Sequence, residues 1–307
     1  MNSTIKLPDG VHVFERGWLS SNSVLFDDGQ NSALVDSGYC THSAQTLALV
    51  SSRLGGRPLD LLINTHLHSD HCGGNAALQA RYPHLVTLIP SGQSAQVKFW
   101  DPVGLFYTPT GQTCPRFVFD KTLQNGSAVQ LGYQSWDVRA AGGHDPHSVI
   151  LFEPISRTLI SADALWQNGF GVIFPELEGV KAFDEVSSTF DLIERLNPVM
   201  VIPGHGEAFS YTSEILAVAR RKLDGFITDP VKLARHGAKV LLKFKLLEMQ
   251  KLLFSEFQHW GATTPCLIQY HHRFFADLNI LVWIEKLCFE LVKAKVAKIE
   301  SSYISNQ

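Results

Sequence analysis

The densest chemistry in this chain lies between His66 and His71, where His66, His68, Asp70 and His71 place three imidazoles and one carboxylate within six positions. The run follows residues 59–64 (LDLLIN), a short apolar stretch bounded by Pro58 and a polar loop, which reads as a core strand delivering side chains at its C-terminal end. In an extended or gently turning segment, side chains two apart point the same way. His66 and His68 can therefore close on one ion while Asp70 and His71 face a neighbouring position. Neutral imidazoles with a carboxylate suit zinc, whereas an all-oxygen set suits magnesium or calcium.

Three more candidates lie downstream, each where a strand gives way to a loop. His144 stands in 141–146 (AGGHDP), where a glycine pair after the alternating stretch 136–140 lets the backbone swing an imidazole inward. Asp163 directly follows Thr158–Ala162, and His205 ends an apolar run in 201–206 (VIPGHG). Taken singly, His144 and His205 read equally as turn residues and Asp163 as a helix cap.

Together these residues form an order that resembles the metallo-β-lactamase fold superfamily: an HxHxDH motif, a later GH turn, an Asp after a strand and a late PGHG-type turn. The resemblance spans about the first 210 residues. It implies an α/β fold, a four-layer αββα sandwich with a dinuclear metal centre at one edge of the sheets. Residues 1–212 would form the metal-binding domain and residues 213–307 a C-terminal helical extension, which in some members takes a winged-helix-like form. Carried over residue by residue, His66, His68 and His144 bind one metal, Asp70, His71 and His205 the other, and Asp163 bridges both. His147 lies three positions after His144; the glycine pair aligns the motif with His144 and leaves His147 as a candidate either to support a ligand from behind or to face the substrate. Asp36, in 33–38 (ALVDSG), matches an early strand-ending Asp that orients the metal loop by hydrogen bonding. The resemblance implies two Zn2+ per chain, with His68 kept where di-iron members carry an acidic residue, and with other divalent metals open because occupancy follows supply.

The resemblance also implies a reaction: a metal-bridging hydroxide attacks a small acyl substrate, a thioester or lactone, as in the glyoxalase II and lactonase branches. Asp70 is the catalytic candidate, passing a proton to the leaving group. A phosphodiesterase or nuclease of the same superfamily is the alternative, and a metal-binding regulatory module with little turnover is a third reading. A complete ligand set argues against the last. The chain contains no GxSxG elbow, P-loop or GxGxxG fingerprint to support serine-hydrolase, phosphate-loop or nicotinamide chemistry.

Length and composition frame these expectations. A chain of 307 residues suits one substantial core with an appendage, and a net charge of −3 argues against a nucleic-acid partner. The opening segment Met1 to Pro8 lacks the basic and long apolar regions of a secretory leader, and no apolar stretch is long enough for a bilayer. Five scattered cysteines, Cys40, Cys72, Cys114, Cys266 and Cys288, read as reduced thiols in a cytoplasmic protein, with Cys72 a packing residue beside His71. The expected partner is a small-molecule substrate, and a homodimer is compatible with the sequence.

The elements that must position the ligands are legible as well. Val11–Phe14, 23–26 and 33–35 read as a β meander, 41–54 and Asn75–Arg81 as helices, and 85–89 as a strand. Residues 91–117 are rich in aromatics, Pro, Gly and Thr, and read as a substrate loop or a flap packed on the core. Trp166, Phe170 and Phe174, close after Asp163, read as pocket wall. Helical spacing over 214–226, 240–257 and 280–299, interrupted at Asp229, Pro230 and 261–265, predicts a helical tail.

Overall fold

Apolar residues in short strands pair into two six-stranded sheets in the computed structural model, which describes residues 7–307. Most of the opening segment read above for a leader therefore lies outside the described residues. The first sheet runs β1 (Val11–Phe14), β2 (Ser23–Asp27), β3 (Ser32–Val35), β4 (Leu61–Ile63), β5 (Val86–Pro90) and β6 (Lys121–Leu123) in sequence order, antiparallel up to β3 and parallel from β3 onward. The second holds β7 (Ala128–Leu131), β8 (Gln134–Ala140), β9 (Val149–Glu153), β10 (Thr158–Ala162), β11 (Met200–Pro203) and β12 (Phe209–Ser210), with β10 and β11 its parallel pair. Their inner faces share one core: Val24, Phe26, Val35 and Ile63 meet Trp136, Val138, Leu151, Ile160 and Ile202. Phe26 stands edge-on to Trp136 with ring centroids 5.3 Å apart.

Helices cover both outer faces. In chain order they are α1 (Ser43–Leu54), the single turn α2 (Ser69–Cys72), α3 (Asn75–Arg81), α4 (Ser94–Phe99), α5 (Tyr107–Thr110), α6 (Phe174–Leu177), α7 (Phe183–Leu196) and α8 (Ser213–Thr228). Val50 and Leu54 of α1 and Leu78 of α3 seal Leu25, Leu34 and Leu62 of the first sheet. Val186, Phe190 and Ile193 of α7, with Leu216 and Leu223 of α8, seal Ile150, Phe152, Leu159 and Val201 of the second. Strands buried on both faces are therefore mostly apolar rather than alternating, as in β9 (VILFE) and β10 (TLISA), whose residues are all buried. The result is the expected αββα sandwich.

Beyond α8 come α9 (Pro230–Met249), β13 (Lys251–Leu253), α10 (Phe254–Thr263), α11 (Pro265–Phe274), α12 (Ile280–Lys293), β14 (Ala297–Glu300) and β15 (Tyr303–Asn306). The last three strands form an antiparallel sheet in the order β13-β15-β14, so that three helices are framed by a small sheet, as in a winged helix. Their buried side chains, among them Leu241, Leu242, Phe257, Tyr270 and Trp283, belong to the same core as the outer face of the second sheet. The helical extension is packed on the sandwich by a continuous apolar core.

Asp229 and Pro230 separate α8 from α9, as expected: the Asp229 carboxylate accepts from the Lys232 amide and Pro230 sits in the first turn, so together they start α9. Two helix ranges need correction. The expected 240–257 helix instead ends at Met249, where Gln250 adopts φ +60° and sends the chain into a strand. Likewise the 280–299 helix stops at Lys293, with Lys295 at φ +58° turning it into β14. Neither stop carries a Gly or Pro, so helical spacing alone runs through both. The expected break within 261–265 falls at Thr264, between α10 and α11, while Gly261 lies inside α10, where an added Cβ would come within 3.0 Å of Ile284 on α12.

Residues 91–117 pack as the expected flap, and part of the segment lines the site. Val97, Leu105, Tyr107 and Phe117 pack with Leu67, Cys72 and Ile89 in a local core, while Phe106 reaches toward the site described below. The sandwich core itself is testable: Phe26→Ala, at a fully buried inter-sheet position, should lower the unfolding free energy by about 3–5 kcal/mol in denaturant titration. A loss under about 1 kcal/mol would mean that the two inner faces are not packed as described.

Candidate metal centre

The C-terminal ends of β3, β4, β10 and β11, with the loop after β8, converge at one edge of the sandwich. After β4 the chain extends through Asn64 to Leu67 and then folds into α2, which carries Asp70 and His71. This bend is held from below. The backbone amide and hydroxyl of Thr65 donate to the Asp36 carboxylate at 2.9 and 2.8 Å, and Asn64 Nδ2 and the Ser37 amide both donate to the His71 carbonyl. Asp36 Oδ2 also lies 2.8 Å from His71 Nδ1, fixing that ring so that Nε2 faces the site. Asp36 thus has the orienting contacts that the sequence led one to expect.

Asp163 is aimed by a departure from regular strand geometry. The β10–β11 register shifts between Ile160 and Ala162, and Ala162 takes φ +46°, a conformation a non-glycine residue adopts at a cost. The next strand end must leave room for the carboxylate. At Gly204 an added Cβ would collide with Asp163 Oδ1, so the PGHG turn needs its glycine for that close approach. Asn22 Nδ2 donates to the carbonyls of Pro203 at 3.0 Å and Gly206 at 2.7 Å, clamping the turn that carries His205.

All seven candidate residues come together. Their potential donor atoms form three overlapping groups, His66–His68–His144, His66–His71–Asp163 and Asp70–His71–His205, each with atoms within 4.8 Å of one another. Asp163 divides its two oxygens: Oδ2 lies 3.3 Å from His144 Nε2, whereas Oδ1 lies 3.5 Å from His71 Nε2 and 3.9 Å from His205 Nε2. Asp70 Oδ2 lies 3.1 Å from His205 Nε2. His144 Nδ1 faces the Val172 carbonyl at 2.6 Å, which turns its other nitrogen inward. His147 belongs to none of these groups; it lines a side cavity with Gln93 and Gln96. Cys72 is buried with Tyr107 and Cys114 and is likewise outside the groups.

The chemistry of the donor set fits divalent metal. His66 Nε2, His71 Nε2 and His144 Nε2 are buried without a hydrogen-bond partner and belong to the clustered groups. Leaving such atoms unsatisfied costs about 1–3 kcal/mol each, a penalty that a cation between them removes. Burial, followed by the neighbouring imidazoles, holds His66 well below the ordinary histidine range and His68 down to about 4, so both are neutral electron-pair donors at pH 7. Burial also disfavours a proton on His71, but the carboxylates of Asp36, Asp163 and Asp70 outweigh it and raise its pKa well above normal. Burial opposes ionisation of Asp163, yet His71 and His205 pull its pKa well down.

Sequence reasoning anticipated Trp166 and Phe174 as cavity walls but missed the other residues around the cluster. Trp18 stacks on His205 with centroids 5.3 Å apart and rings 11° from parallel, and Asp145 Oδ2 lies 3.8 Å from His68 Nε2. A cavity of about 220 Å3 opens over the cluster, bounded by Trp18, Phe106, Trp166 and Phe174 and closed by Lys222, His236 and Phe244 from the helical extension. Phe170, expected beside them, instead lies in the core under α7 and α8. The extension residues sit on helix faces whose spacing only signals burial. No local motif marks them.

These charge states give a signed prediction. At pH 7 His66 and His68 bring no proton and His71 brings one, so metal binding should displace the His71 proton, and affinity should rise with pH until the raised pKa of His71 is passed. Asp36→Asn removes one support of that proton and of the ring's orientation; calorimetry in buffers of different ionisation enthalpy should find less proton release and metal affinity about 10–100-fold weaker. Unchanged affinity and proton release would exclude this role for Asp36.

The comparisons with known proteins agree with this geometry. Curated relatives named hydroxyacylglutathione hydrolase include one from Thermosynechococcus vestitus, 26% identical over 167 residues that cover 53% of this chain and 54% of the relative. Another, from a Synechococcus species, is 30% identical over 119 residues, 39% of this chain and 40% of the relative. The chain thus spans about half the length of the curated relatives it matches, or less. Among solved structures, a metallo-beta-lactamase family protein from Thermus thermophilus superposes with a TM-score of 0.56 at 16% identity, over 98% of this chain and 100% of that one. A protein crystallised in a di-iron-bound form superposes with a TM-score of 0.53 at 23% identity, over 69% of this chain and 98% of that one. The family model of the metallo-beta-lactamase superfamily matches residues 16–205, the span that holds all seven clustered residues, and the chain belongs to that superfamily.

Proposed function

We propose that this protein is a dinuclear metal-dependent hydrolase of a small acyl substrate, a thioester or lactone. The observation that carries the reading is the split of Asp163, one oxygen toward His144 and the other toward His71 and His205, at the floor of a cavity walled by aromatic side chains. His66, His68 and His144 would hold one ion, Asp70, His71 and His205 the other, with Asp163 shared. Zinc is the proposed metal, since five imidazoles and two carboxylates form a nitrogen-rich donor set. Two such ions, when bound, supply an activated water and a Lewis acid for the charge that develops on the acyl oxygen.

The chain's own residues do the rest. Asp70 lies on the cavity wall, and despite burial the pull of His71 and His205 keeps its carboxyl below the usual range. An ionised Asp70 can accept a proton from the attacking water and return it to the leaving atom. Phe106, Trp166 and Phe174 exclude water around the scissile group. A mostly aromatic and aliphatic wall, with Lys222 its single strongly basic side chain among the described residues, favours an acyl group over a phosphodiester, whose charge would demand several basic residues along its path. The relatives named hydroxyacylglutathione hydrolase support the same chemistry.

The units of the chain are proposed as a metal domain, 1–212, and a helical extension, 213–307, that completes the pocket. Among the described residues no helix is long and apolar enough to cross a membrane. A cytoplasmic setting is proposed from the five cysteines, all of them free. A panel of chromogenic thioesters, lactones and phosphodiesters tests the activity. Turnover of thioesters or lactones is expected, with Asp163→Ala reducing it by several orders of magnitude together with metal content, and His147→Ala acting mildly. Preference for phosphodiesters, or equal metal loss in His147→Ala, would overturn the assignment.

A further inference from the structure

A second cavity of about 180 Å3 adjoins the first. The Phe106 and Phe174 rings, with centroids 5.5 Å apart, and the imidazoles of His68 and His144 line both spaces. Away from the cluster, its walls carry acceptors. Gln93 ends the 3-10 turn Ser91–Gln93 and is only 7% exposed, yet its Oε1 has no hydrogen-bond partner, and neither has that of Gln96 on α4. Asp145 accepts the His147 amide on Oδ1 at 2.7 Å, leaving Oδ2 turned toward His68 Nε2 at 3.8 Å, beyond hydrogen-bond distance. Glu178 stands at the exposed mouth, just after α6. Among the described residues no lysine or arginine lines this space. Its shape depends on a glycine: at Gly92 an added Cβ would collide with the His147 ring, which forms part of the wall.

The two carboxylates decide what fits. An amide can turn either of its ends toward a ligand, but an ionised carboxylate only accepts, so the group that enters must donate. Buried acceptors left unpaired cost about 1–3 kcal/mol each, and a donor that reaches them removes that cost. A metal ion is not the fit, because among the described residues Asp145, His147 and Glu178 form no group close enough to share one. Water donates as well, but brings no charge to set against the carboxylates. A primary ammonium supplies three N–H donors, a positive charge between Asp145 and Glu178, and a partner for the faces of Phe106 and Phe174.

We propose that this side cavity is a subsite for a primary ammonium, so that the acyl compound held at the metal cluster carries an amino group on the part that passes beyond Phe106 and Phe174. The inference rests on the acyl-hydrolase reading for what is cleaved, but recognition of the amino group is a binding property and can be measured without turnover.

The test is calorimetry on the metal-loaded full chain with linear ω-aminocarboxylates of about four to eight carbons, each compared with its N-acetyl and its N-trimethyl derivative. All three share the carboxylate that meets the metals. Acetylation removes the charge, and trimethylation keeps the charge but removes every N–H donor. At the length that reaches the side cavity, the free ammonium should bind at least about tenfold more tightly than either derivative. Glu178→Gln, at an exposed position that places no burden on folding, and Gln93→Leu should each reduce that advantage several-fold, and the double variant should bring it to about one. A merely structural role for these side chains would change all three ligands alike. Equal binding of either derivative at every length in the wild type, or an undiminished ratio in Glu178→Gln and Gln93→Leu, would overturn the proposal. Either result leaves the hydrolysis panel unaffected, and failure of that panel would leave the ammonium preference standing.

Discussion

Five imidazoles and two carboxylates buried within reach of one another are the constraint on which the rest of this fold turns. Hydrogen bonds do not satisfy them: the Nε2 atoms of His66, His71 and His144 are left without partners, and the carboxylates of Asp70 and Asp163 are held ionised inside the protein. Such a cluster is stable when cations occupy it, and the surrounding structure is organised to hold its members in place until then. The Asp36 contacts to Thr65 and His71, the register shift before Asp163 and the Asn22 clamp on the His205 turn all serve that end. Each is local, and each rests on the buried core between the two sheets.

Much of this was legible in the sequence because ligands near a strand end are close in sequence. The 66–71 run fixes four of the seven by spacing alone, and the glycine-marked turns at His144 and His205 fall where the two-residue strand period ends. The strands Val11–Phe14 and Thr158–Ala162 and the helix Asn75–Arg81 were readable to the residue for the same reason, since their apolar pattern and their boundaries coincide. The convergence of the four segments is a property of the sheet order. Only the resemblance to a known family, and not periodicity, could anticipate it.

The remainder was hidden for identifiable physical reasons. Gln250 and Lys295 end helices through left-handed backbone geometry that neither residue type advertises. Trp18 reaches His205 from a turn with no periodic signal. Lys222 and His236 lie on amphipathic helices where a basic residue ordinarily means a solvated face, and only tertiary packing reveals that they close a cavity begun by residues more than a hundred positions earlier. The extension is thus joined to the metal domain twice, by a shared core and by a shared pocket.

The central claim is that the cluster is built for two ions sharing Asp163. Anomalous diffraction from crystals of protein kept free of chelator, with data on both sides of the zinc edge, tests it most directly. The account predicts two peaks flanking the Asp163 carboxylate, one beside His66, His68 and His144 and the other beside Asp70, His71 and His205. A single peak under metal-replete conditions, or a second ion bound away from Asp163, would contradict it.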